Sequence, residues 1–294
     1  MWAYLLYKAG VFLSCHLPSF LAYWMAKRLA DLYFLVSTGR PRLYKKAIFH
    51  NLSLILDKDK KNPGMRKTAR DSYYNFSRYL REFFWLPGLD RRKFLSLITS
   101  VGLENLDYAL SKGKGAILLS IHFGNWEWGG IGIALSGYKV NFLVRKHQNR
   151  WINELYYRIR EKMGVRVLFL EQLKEAIKTL RRNEILAVLA DENVGEGVEV
   201  DFFKHKISLP SGPFRLAQRT GAIIAPAFVV RGKKDNLQKG IIERPFEVKK
   251  AYDEEESIRE AANRFIQIVQ DYLYYYPDHW LLGEPKIVSR EEVN

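Results

Sequence analysis

The sequence predicts an α/β fold: a mostly parallel central sheet flanked by helices, with a hydrophobic, membrane-associating helix at the N-terminus. Three observations predict it. Residues 115–121, 185–190 and 222–230 are short apolar runs, and unbroken apolar character is what strands covered on both faces require. Helical periodicity appears between and after them, in residues 172–182 and 257–276, and strands alternating with helices imply parallel pairing. Residues 1–36 are rich in Leu, Phe, Tyr, Trp and Ala.

In chain order, residues 1–38 are expected to form the anchor and residues 39–294 a single domain. Lys8, His16, Pro18, Lys27 and Arg28 interrupt the N-terminal apolar residues. The segment therefore never reaches the roughly 20 apolar residues that a spanning helix needs. It also lacks a short apolar run ending in a small-x-small cleavage site. The expected state is a helix lying in, or dipping into, one leaflet, with a buried N-terminal helix as the competing reading. Lys27 and Arg28 favour the cytoplasmic side. Residues 41–87 read as helical. Ala47, Ile48, Leu52, Leu54 and Ile55 recur at helix spacing, and residues 57–64 break the pattern. Tyr73, Phe76, Leu80, Phe83 and Phe84 then form a stripe with a period near 3.6. Such a stripe is core, a helix seam or the wall of a lipid groove. After Leu89 the strand–helix rhythm runs on without repeats, low-complexity segments or a long linker.

Hydrophobic residues make up 48% of the 294, enough for a full core, so global disorder is excluded. Lys and Arg number 47 against 32 Asp and Glu, and the +15 balance favours an anionic partner: nucleic acid, an anionic membrane, or an acidic protein or ligand. Cys15 is the single cysteine, which rules out an intrachain disulfide or a cysteine-based zinc site. His16, His50, His147, His205 and His279 follow no metal-ligand spacing, so neither metal nor cofactor is expected. There is no P-loop, H-E-x-x-H or G-x-S-x-G elbow, and Gly195-Glu-Gly197 lacks the third glycine of a dinucleotide fingerprint.

The sharpest motif is Ser120-Ile-His-Phe-Gly-Asn-Trp-Glu127. His122 falls where a strand ends. On a regular helix five residues rotate by about 500°, which would turn His122 and Glu127 roughly 140° apart. They meet only if the chain turns between them, and Gly124 and Asn125 supply a turn and a helix N-cap. Glu127 is then expected to fix the imidazole tautomer and stabilise the imidazolium. His122 has the pKa range of a general base, and backbone N–H groups near Gly124 and Asn125 are candidate oxyanion donors. The bland alternative is a loop histidine beside a helix-capping glutamate.

With Gly102-Leu-Glu-Asn-Leu and Gly113-Lys-Gly-Ala upstream, this motif resembles the lipid A biosynthesis acyltransferase family, within the glycerolipid acyltransferases marked by His, four residues, then Asp or Glu. The resemblance runs from about Pro41 to Lys286. It takes in Val144-Arg145-Lys146, Ala190-Asp-Glu-Asn, Gly195-Glu-Gly197, Asp201-Phe-Phe203, the stretch from Pro210 to Pro226, and Tyr276-Pro-Asp-His-Trp280. It implies transfer of a fatty acyl chain from a thioester to a hydroxyl of a phosphorylated glycolipid, a lipid A precursor, with His122 and Glu127 as the catalytic pair and no covalent intermediate. The implied donor is acyl carrier protein, with acyl-CoA as the alternative, and the implied location is the cytoplasmic face of a bacterial inner membrane. The family's functional arginine falls on Arg160, with Arg158 as the neighbouring choice, and its functional aspartate on Asp191. Arg160, Arg158 and Arg145 are candidate phosphate ligands, since a guanidinium matches phosphate oxygens. Residues 281–286 lack the family's arginine-rich ending, which bears on the acceptor.

Three other readings compete. An acyl-CoA-dependent acyltransferase for phosphatidylinositol mannoside, another glycolipid or a lysophospholipid would carry the same dyad. A hydrolase lacks its nucleophile here. A basic nucleic-acid-binding protein fits the charge, but Lys and Arg are spread along the chain and form no recognition element, so no nucleic-acid partner is expected.

Overall fold

The computed structural model describes residues 2–36, 39–57, 62–192, 196–232, 237–249 and 253–281. The chain opens with four helices: α1 (Trp2–His16), α2 (Ser19–Leu35), α3 (Gly39–Leu56) and α4 (Pro63–Trp85). A short helix α5 (Arg91–Leu95) leads into the α/β body, in the order β1 (Ile98–Val101), α6 (Leu103–Ser111), β2 (Ala116–Ser120), α7 (Trp126–Leu135) and β3 (Val140–Val144). There follow α8 (Arg150–Lys162), β4 (Arg166–Phe169), α9 (Leu173–Arg181), β5 (Ile185–Leu189), β6 (Gly197–Phe202) and β7 (His205–Pro210). The last elements are α10 (Gly212–Thr220), β8 (Ile223–Arg231), β9 (Gln238–Ile242) and α11 (Glu254–Tyr275).

Seven strands form one sheet in the order β1-β9-β8-β2-β5-β3-β4. The five from β8 to β4 are parallel, while β8 and β9 pair antiparallel and β9 carries β1 parallel to itself. The expected mostly parallel sheet is present, with a reversed pair at one edge and a separate β6–β7 hairpin. The apolar runs expected to be strands fall on β2, β5 and β8. All five residues of β2 are buried. Their side chains alternate between two cores: Ile117 and Leu119 face α9, α10 and α11, and Ala116 and Leu118 face α4, α7 and α8. That makes a helix–sheet–helix sandwich.

The N-terminal segment differs from the single expected anchor helix. Pro18 has no N–H to donate, and the chain breaks there into α1 and α2. Neither stands apart from the body. Ala22, Tyr23, Ala26, Ala30 and Phe34 of α2 are buried, and Tyr4, Tyr7 and Val11 of α1 pack on the core beneath α4. No helix among the described residues is long and apolar enough to cross a membrane. The outward faces nonetheless leave Trp2, Leu6, Phe12, Phe20, Trp24, Leu29, Leu32 and Leu35 exposed.

Candidate active site

Strand register builds the centre of the site. Ser120 at the end of β2 lies opposite Leu189 at the end of β5. Two residues further along each parallel strand, His122 meets Asp191 at the carboxyl ends of the strands, where α/β sheets place ligands. Asp191 Oδ1 lies 2.7 Å from His122 Nδ1, and Asp191 Oδ2 accepts from the His122 backbone N–H at 2.9 Å. Oδ2 also accepts from Trp280 Nε1 at 2.9 Å. The carboxylate holding Nδ1 is therefore that of Asp191, where the motif spacing had assigned the task to Glu127. Burial raises the Asp191 pKa, but the His122 charge and the donated hydrogen bonds outweigh it and hold the carboxyl below its ordinary 3.8.

Glu127 sits in the first turn of α7, 1% exposed, and both its oxygens accept from Arg160 of α8. Nε of Arg160 donates at 3.1 Å, and Nη2 makes the second, shorter bond. Burial lowers the Arg160 pKa, and the Glu127 charge and hydrogen bond more than reverse this, so the guanidinium stays charged. Nε and Nη2 are thus engaged by Glu127, and both residues line the cavity onto which His122 opens. Arg158 points the other way, exposed to solvent and paired with Glu154, and it does not line the cavity.

The turn between His122 and α7 is tightly clamped. Gly124 has φ +61°, and a Cβ there would lie 1.8 Å from the Val229 carbonyl oxygen, so only glycine fits. Its N–H donates to the His279 carbonyl at 2.8 Å and so is not an open oxyanion donor as expected. Leu281 N–H donates to the His122 carbonyl at 2.7 Å, and Phe123 bridges to Trp280. Asn125 is the N-cap of α7, as its position suggested. Its Oδ1 accepts from Trp128 N–H at 3.1 Å, and full burial removes its side chain from any substrate.

His122 opens onto a cavity of about 560 Å³. Its walls are mostly apolar, with Phe76 and Leu80 of the α4 stripe and the neighbouring Tyr79 on one side and Leu118, Phe142 and Val229 of the sheet on the other. The stripe thus serves as core and as cavity wall together. Arg145, Lys146, His147 and Glu192 also line it. Glu192 Oε1 is 3.7 Å from His122 Nε2, and Oε2 is 3.6 Å from Arg145 Nη2. Arg145 is half-exposed. Among the described residues no cluster of His, Cys, Asp or Glu has the makings of a metal site.

A model of the bacterial lipid A biosynthesis acyltransferase family matches residues 1–282. The chain belongs to that family. It is 32% identical over 163 residues to the phosphatidylinositol mannoside acyltransferase of Mycobacterium tuberculosis strain H37Rv, covering 53% of this chain and 52% of the relative. The Mycolicibacterium smegmatis protein of the same name is 28% identical over 163 residues, covering 53% and 54%. A lipid A biosynthesis acyltransferase of Haemophilus influenzae is 28% identical over 132 residues, covering 44% and 41%. The chain spans about half the length of the curated relatives it matches.

In this lipid A acyltransferase family member, sequence reasoning missed Trp280 as the second donor to Asp191, Glu192 beside Nε2, and His147 in the cavity wall. Burial, aided by the charge of Arg160, lowers the His147 pKa, which favours its neutral form. No local spacing reports these three, because sheet order and the return of the C-terminal segment bring them in. Asn193 and Gly195, part of the family resemblance, and residues 282–286, where the sequence departs from it, lie outside the described residues.

Proposed function

We propose that this chain is an O-acyltransferase that moves a fatty acyl chain from a thioester to a hydroxyl of a phosphorylated glycolipid at a membrane surface. The observation that carries the reading is the His122–Asp191 pair opening onto a mostly apolar cavity of about 560 Å³. Asp191 holds Nδ1, which leaves Nε2 to take the proton of the attacking hydroxyl. A thioester is already activated, so the hydroxyl attacks the acyl carbon directly and the thiolate leaves. The N-terminus of α7, the positive end of its dipole, lies beside His122 and would stabilise the oxyanion. The apolar cavity takes the acyl chain, and Arg145 at the rim takes phosphate. Glu127 and Arg160 act as a neutralised pair that anchors α7 on α8. The exposed apolar residues of α1 and α2, with Lys8, Lys27 and Arg28, fit an anionic bilayer, in keeping with the cytoplasmic face of a bacterial inner membrane.

Two acceptor classes suit this site. A lipid A precursor follows from the family and the Haemophilus relative. A phosphatidylinositol mannoside is favoured by the higher identity to the M. tuberculosis protein of that activity. The test is acyl transfer by wild type and His122→Ala, from acyl carrier protein thioester and from acyl-CoA, to each acceptor. Wild type is expected to acylate one acceptor class, and the variant to lose on the order of a hundredfold or more. A folded His122→Ala protein as active as wild type would sink the mechanism.

A further inference from the structure

Glu82 of α4 is fully buried and is not among the residues that line the cavity. Three donors from three other parts of the chain converge on it. The Tyr23 hydroxyl of α2 and Nη1 of Arg231, at the end of β8, donate to Oε1 at 3.0 and 2.6 Å. Asn125 Nδ2 donates to Oε2 at 2.7 Å. The same Asn125 caps α7 through its Oδ1. A side-chain amide has one acceptor end and one donor end, and its neighbours decide which faces where. A carboxylate on one side and a backbone N–H on the other leave a single solution. The NH2 faces Glu82, and the oxygen faces Trp128.

We propose that Glu82 is a positioning residue for the reaction: by orienting the Asn125 amide, it sets the turn between His122 and α7. The proposal rests on the acyl-transfer reading, and it gives a buried carboxylate outside the cavity a part in the geometry of the catalytic segment. Glu82 touches neither His122 nor the cavity and acts through Asn125. The competing account makes Glu82 only the counter-ion of Arg231, whose Nε donates to Asn75 Oδ1 at 3.1 Å. The two accounts separate by exchanging donor and acceptor.

In Glu82→Gln, Tyr23 and Arg231 hold the remaining oxygen, so the introduced NH2 faces Asn125 Nδ2. Donor meets donor, the Asn125 amide turns over, and the cap on Trp128 is lost. In Asn125→Asp, carboxylate faces carboxylate. In the double variant the introduced amide donates to the introduced carboxylate, which still accepts from Trp128 N–H. The charge of the cluster is unchanged, because one carboxylate has been exchanged for another.

The experiment measures kcat and KM for transfer from palmitoyl-CoA and palmitoyl-acyl carrier protein to the two acceptor classes, with hydrogen exchange of residues 121–132, in wild type, both singles and the double. Each single is expected to lower kcat about ten- to a hundredfold with KM within about threefold, and to speed exchange at the start of α7. The double is expected to return within about threefold of wild-type kcat and to regain protection. A double no better than the worse single overturns the proposal, as do singles with wild-type kcat and exchange. If a single fails to fold, folding of the double is the rescue, and an unfolded double counts against the proposal. If wild type acylates neither acceptor, the functional reading falls by itself. Exchange then decides alone: restored protection in the double upholds the orientation of Asn125 by Glu82, and unrestored protection overturns it.

Discussion

Asp191 binds the chemistry of the site to its acid stability. Its folded pKa is depressed, so its contribution is present above the unfolded value and is lost as pH falls through the folded one. In Asp191→Asn that loss has no group to act on. The melting temperature of the variant should therefore fall less steeply than that of wild type below about pH 4. Circular dichroism melts across the acid range check this, and parallel slopes would refute it. The same variant offers an amide to Nδ1 and no longer fixes the tautomer, so kcat should drop about 10²- to 10⁴-fold with little change in KM. His122 was legible in the sequence because a histidine at a strand end before Gly-Asn is a local pattern. Its partner was not. Glu127 is five residues away in the chain, whereas Asp191 is 69 away and arrives through the register of β2 with β5, a relation no spacing rule contains.

At the scale of elements, α7 and α8 are fastened by the Glu127–Arg160 pair, whose side chains are 1% and 10% exposed. Removing one partner of a buried pair leaves the other charge without compensation, which costs about 3–5 kcal/mol. Arg160→Ala should lose stability on that scale in urea unfolding. Adding Glu127→Gln should recover much of the loss, because the orphaned charge has gone. A loss under about 1 kcal/mol in the single would mean that water reaches the pair. The elements themselves were well marked, since β2, β5 and β8 are unbroken apolar runs and α11 has a clear helical period. The reversed β9–β1 edge was not. Gln238-Lys-Gly-Ile-Ile242 is short and half polar, and its place depends on pairing with β8 and with residues 98–101.

For the whole molecule, the question is how a basic α/β body would meet the lipid acceptor proposed above. The sequence showed an apolar N-terminus too interrupted to span a bilayer, and in the fold it packs as α1 and α2 on the body. Its small residues, such as Ala22, Ala26 and Ala30, pack α2 onto the body, while Phe20 and Trp24 stay outside. Tyr23 and Phe34 also face inward, so the outer face of α2 is a separate apolar strip, and α1 carries a similar exposed face while placing Tyr7 in the cavity wall. On the proposed function, α1 would then serve both the bilayer face and the acyl cavity. Each large apolar side chain fully withdrawn from water contributes on the order of 1.5–3 kcal/mol, and partial insertion less. Replacing Leu6, Phe20 and Trp24 together with Ser should therefore weaken partitioning onto anionic phospholipid vesicles on the order of a hundredfold. The melting temperature should hardly move, because exposed side chains hold little of the fold together. Cosedimentation with vesicles at two salt concentrations separates the apolar part from the charge part, since screening weakens only the latter. Unchanged partitioning in the triple variant would place membrane contact on another face of the molecule.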